Sequence, residues 1–74
     1  MSARTDRLRD LERAYENIPV RYRQTGKSIV TLARAVADAK AVGASDRECM
    51  DALKSRDWKR YKIYKDKARE EGWL

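Results

Sequence analysis

The segment Lys54 to Arg69, KSRDWKRYKIYKDKAR, carries eight Lys and Arg residues against two acids, Asp57 and Asp66, with Trp58, Tyr61, Ile63 and Tyr64 set among them. Cations at this density attract polyanions, and nucleic-acid phosphates are the commonest such partner. At 100° per residue, Arg56, Lys59, Arg60, Ile63 and Lys67 share one arc of a helix. Trp58, Tyr61, Tyr64 and Ala68 share the opposite arc, with Lys65 at its edge, and are expected to pack on the domain. The cationic arc is expected to enter a DNA major groove, where Arg pairs with guanine edges, Ile63 meets a thymine methyl and Lys neutralises phosphate. Lys54, Ser55 and Lys62 flank this arc as phosphate contacts, joined by a second basic group, Arg21, Arg23 and Lys27. An ordinary solvated face, with Ile63 against a neighbouring helix or a second copy, accounts for the same pattern.

Other chemistry is poorly provided for. The chain has no His, one Cys (Cys49) and no carboxylate cluster beside a nucleophile, so neither a catalytic constellation nor a conventional zinc site is expected, and no cofactor is implied. Gly26-Lys27-Ser28 matches the end of a phosphate-binding loop but lacks its earlier glycine. No apolar run is long enough for a signal peptide or a membrane span, which points to a cytoplasmic protein.

The elements that must position the basic residues are helical. With 74 residues and a net charge of +6, the chain is expected to form one domain, 1–74. Such a domain buries only about 60% of its unfolded surface, and one cysteine allows no internal disulfide, so packing or a second copy must stabilise it. Leu8, Leu11, Tyr15 and Ile18 mark a helix over about 5–17, with Thr5 as its expected N-cap and Pro19 after its end. The same spacing runs on through Ile29, Leu32 and Val36, and Pro19 and Gly26 make this the mark of an antiparallel pair rather than a long coiled coil. Residues 27–42 are apolar on most sides, as befits a central helix.

Gly43 suits a left-handed cap, and Ser45-Asp46-Arg47-Glu48 fits a capping box opening a helix over about 46–54. Ser55 is then expected to start the last helix, about 56–71, unless 46–71 is continuous; Gly72 stops it, with Trp73 and Leu74 folding back. The expected fold is all-α, a small bundle of four helices, or three if the last two merge.

The stretch GASDRECMDAL, Gly43 to Leu53, resembles the opening of bacterial and phage helix-turn-helix DNA-binding domains: G-x-S-x-R-E, then Cys49 in the aliphatic position and Leu53 in the Leu position. The resemblance implies that Asp46–Leu53 supports and that the helix from Arg56 is the recognition helix. Here Lys54 leads directly to Ser55 and Arg56, a turn shorter than the family's.

Taken together, the sequence points to double-stranded DNA as partner and to a small phage or mobile-element transcription regulator acting as a homodimer. The alternative is a helical interaction module or inhibitor docking on an acidic protein partner such as a polymerase, nuclease or host factor. Stacking of the rings on unpaired bases is a third possibility.

Overall fold

Four α-helices and one 3₁₀ turn make up the computed structural model, which describes residues 2–74: α1 (Ala3–Asn17), the turn Val20–Tyr22, α2 (Gly26–Ala41), α3 (Asp46–Ala52) and α4 (Trp58–Glu70). The described residues contain no strand, so the all-α expectation holds. α1 begins earlier than expected. Ser2, not Thr5, is its N-cap, and the Thr5 amide donates to Ser2 Oγ at 3.2 Å, because a hydroxyl three residues ahead satisfies an amide that lacks a partner within the helix. The helix ends at Asn17, and Ile18 is extended (φ −91°, ψ 120°), the conformation that a following proline favours.

α2 is the centre of the bundle. Thr25 Oγ1 accepts the Ser28 amide at its start, and Leu32, Ala33, Val36, Ala37 and Ala39 are buried along its length. Both α1 and α4 lie chiefly against it. Small alanine side chains allow this close approach, and Leu11, Cys49, Ala52, Leu53, Tyr61, Tyr64 and Ala68 from the other elements complete one core.

Three helices end in the same way. After α2 the Ala44 amide donates to Ala39 O (3.1 Å) and Gly43 N to Lys40 O (3.1 Å); after α4 Trp73 N donates to Ala68 O (2.8 Å) and Gly72 N to Arg69 O (3.0 Å). Gly43 (φ 96°) and Gly72 (φ 79°) occupy the left-handed position that this Schellman geometry requires. Trp73 folds back half-buried onto the core, as expected, while Leu74 stays exposed. α3 ends identically, with Ser55 N to Met50 O and Lys54 N to Asp51 O, both 3.0 Å, but Lys54 takes the glycine position at φ 53°.

That third cap decides where the last helix begins. The capping box at Ser45 is present in full: Glu48 N donates to Ser45 Oγ, and Ser45 N to Glu48 Oε1, each at 3.1 Å. The break after α3 is also present, but Ser55 does not start α4. Leu53 is fully buried, the left-handed turn at Lys54 follows, and Ser55 Oγ accepts the Asp57 amide (3.2 Å) to close the turn. Asp57 is the N-cap, its Oδ1 accepting the Lys59 amide at 2.9 Å, so α4 starts at Trp58 and Arg56 belongs to the linker.

Candidate nucleic-acid interface

The direction that α4 faces is set by one carboxylate. Asp46, the first residue of α3, accepts from Lys40 Nζ (2.7 Å) and Tyr61 Oη (2.8 Å) on Oδ1 and from Lys65 Nζ (3.1 Å) on Oδ2. Burial alone would raise its pKa, but these three donors outweigh that penalty and hold the carboxyl well below the usual carboxylate range. Burial, then the bond to Asp46, pushes the Tyr61 phenol upward, and burial also raises the Cys49 thiol. The thiol therefore stays protonated and inert in the core.

With Tyr61, Tyr64, Lys65 and Ala68 turned inward, the opposite side of α4 is exposed. Trp58 departs from expectation. It is 49% exposed, tilted against Tyr61 at 5.6 Å, with Lys65 Nζ 5.3 Å from its centroid. As the first helical residue it lies past the edge of the apolar stripe, while Lys65, farther along the helix and nearer the centre of that stripe, is buried and donates to Asp46.

The cations of α4 fall into two groups. Lys59, Arg60 and Lys62 are exposed around Ile63, itself 44% exposed, and with Arg56 in the linker they have no ion-pair partner among the described residues. Farther along, Lys67 pairs with Glu70 (3.5 Å) and Glu71 (3.2 Å), and Arg69 lies 3.8 Å from Asp66. The uncompensated charge therefore occupies the first half of the helix. Lys67, on the same predicted arc, has its charge answered within α4.

Lys59 and Arg60 also oppose the helix dipole, whose positive end is at the N-terminus; a cation there costs about 0.3–1 kcal/mol. Asp57 is the only acid beside them in sequence. Stability gives no reason for this placement, whereas an incoming phosphate gains from the cations and the dipole together.

The remaining predicted contacts differ in their freedom. Lys54 donates to Glu16 on α1 at 2.6 Å, which raises its pKa, and Ser55 is engaged in the linker turn. Arg23 donates from Nε to Ile18 O (3.0 Å) and lies 4.0 Å over the Tyr15 ring, so it braces the connector. Arg21 lies 5.2 Å from the Tyr22 centroid, and Lys27 is exposed on the first turn of α2.

Sequence reading missed Asp46 as a hub, treating it only as part of a capping box. Its available signal was position: a carboxylate at the start of α3, six residues after Lys40.

α4 rests chiefly on α2, and five residues, Leu53–Asp57, separate it from α3. Among the described residues no helix is long and apolar enough to cross a membrane, and no group of His, Cys, Asp and Glu could hold a metal ion. Comparison with protein-family models, curated proteins and solved structures finds no match.

Proposed function

We propose that this chain binds double-stranded DNA through the first half of α4, with Lys59, Arg60 and Lys62 around Ile63 and Arg56 adding charge from the linker. The observation that carries this reading is the set of three unpaired cations around an exposed aliphatic side chain, two of them placed against the helix dipole, with a fourth unpaired cation, Arg56, in the linker just before the helix. Lys27 and Arg21 supply phosphate contacts beside it. One short helix covers little DNA, so the protein acts as a dimer, in the manner of a small phage or mobile-element regulator. Neutralising about four phosphates gives a slope of log affinity against log salt of roughly −3 to −4. Anisotropy titration of labelled duplexes at low salt tests this; absence of binding to any duplex overturns it.

The exposed Trp58 ring beside the same cations favours a second reading, docking on an acidic protein, since Trp and Arg dominate protein-interface hot spots. A stoichiometric protein retained from a nuclease-treated lysate, with no duplex binding, would decide for it.

A further inference from the structure

Of the rings on α4, Tyr61 and Tyr64 are buried, and Trp58 alone is left open to solvent. Burial is the ordinary use of so large an apolar side chain in so small a domain. Trp58 is nonetheless held in place. Its backbone follows the Asp57 cap, its ring is tilted at 54° against Tyr61 with centroids 5.6 Å apart, and Lys65 Nζ stands 5.3 Å from its centroid. Both neighbours are themselves tied to Asp46, Tyr61 through its hydroxyl (2.8 Å) and Lys65 through its ammonium (3.1 Å). The ring is therefore a fixed, half-exposed apolar surface. Cations without ion-pair partners among the described residues lie around it: Lys59 is the next residue, Lys62 is one helical turn on, where Cβ atoms are about 5–6 Å apart, and Arg56 precedes it in the linker.

We infer that Trp58 stacks on an unpaired DNA base, so that the start of α4 selects a duplex carrying an extrahelical base in preference to a fully paired one. The inference rests on the DNA-binding reading and names the kind of DNA. Inside a duplex each base is covered by its neighbours, and an aromatic side chain meets a free face only where a base has left the stack. Phosphates flank every such base. Lys59, Lys62 and Arg56, close to the ring, neutralise them, but charge alone does not tell one polyanion from another. The ring supplies that distinction, because it gains only from an exposed base face. Little ordering is lost when it does so, since Tyr61 and Lys65 already fix it in the free protein.

The test measures, by anisotropy at one salt concentration, binding of the full chain to two labelled duplexes of the same sequence, one fully paired and one with a single extra adenine at its centre. The adenine is expected to tighten binding about tenfold, as stacking of one base on an aromatic ring does, and Trp58→Leu is expected to cancel that gain, the two duplexes then binding alike. Equal affinity for both duplexes in the native chain, or a gain that persists in Trp58→Leu, overturns the stacking and leaves the DNA reading standing. If Trp58→Leu does not fold, NMR of the native chain decides: upfield shifts of the Trp58 ring protons with the extrahelical adenine but not with the paired duplex sustain the stacking, and equal shifts overturn it. Binding of neither duplex removes the DNA reading and the stacking together, and leaves the ring to an acidic protein partner.

Discussion

The Tyr61 hydroxyl of α4 donates a 2.8 Å hydrogen bond to Oδ1 of Asp46, the residue that opens α3. Lys40 of α2 reaches the same oxygen and Lys65 the other, so one carboxylate joins three helices. Rotation of α4 about its axis would break two of these bonds, which fixes Lys59, Arg60 and Lys62 on the outer surface.

Asp46→Asn should destabilise the fold by about 2 kcal/mol, measured by thermal or urea denaturation. Removing one member of a fully buried ion pair costs about 3–5 kcal/mol, and the smaller figure reflects a carboxylate that is 33% exposed.

Acid should act through the same residue. The folded-state pKa of Asp46 lies below its unfolded value, so its contribution is present at neutral pH and is lost as pH falls from about 5 through the ordinary carboxylate range and below. Stability measured against pH should therefore decline towards acid in the native chain and decline less in Asp46→Asn. Equal slopes in the two proteins would contradict the assignment.

Lys59→Glu separates stability from binding. A carboxylate in the first turn favours the dipole, so the substitution should stabilise α4 by up to about 1 kcal/mol while abolishing duplex binding at moderate salt. Lys67→Ala, which removes a cation already paired with Glu70 and Glu71, should affect binding much less. Comparable losses from Lys67→Ala and Arg60→Ala would argue against the division of α4 into two halves.

Lys54→Gly should raise stability slightly, by about 0.5 kcal/mol, readable as a small rise in Tm. Relief of a left-handed backbone at a non-glycine residue is worth about 1–2 kcal/mol, offset by the greater freedom of Gly when unfolded and by loss of the exposed pair with Glu16.

Much of this fold was legible because local chemistry agreed with the final packing. Gly43, Ser45 and Glu48 specify one helix end and the next start through bonds within six residues, and the apolar course of α2 announces a central helix. The start of α4 was less legible because Ser55 and Asp57 are both good caps, and the choice depends on Leu53 reaching the core and on Lys54 accepting a conformation usually left to glycine. On the basic helix, periodicity separated Tyr61 and Tyr64 from Arg60 and Ile63. It could not show that Lys65 points inward while Trp58 stays out, since the carboxylate that holds Lys65, Asp46, lies nineteen residues away. The pairing of Lys67 with Glu70 and Glu71 was written at helical spacing, and it narrows the uncompensated charge to the first half of α4.

The central position of α2 has a consequence for how the molecule breathes. Its Leu32–Ala39 stretch is covered by α1 on one side and α4 on another, so amide hydrogens there can exchange with solvent only when the whole bundle opens. The exposed ends of α1 and α4 can fray without disturbing that stretch. Deuterium uptake should thus trace an inner helix whose exchange reports global unfolding, surrounded by segments that open on their own and far more often.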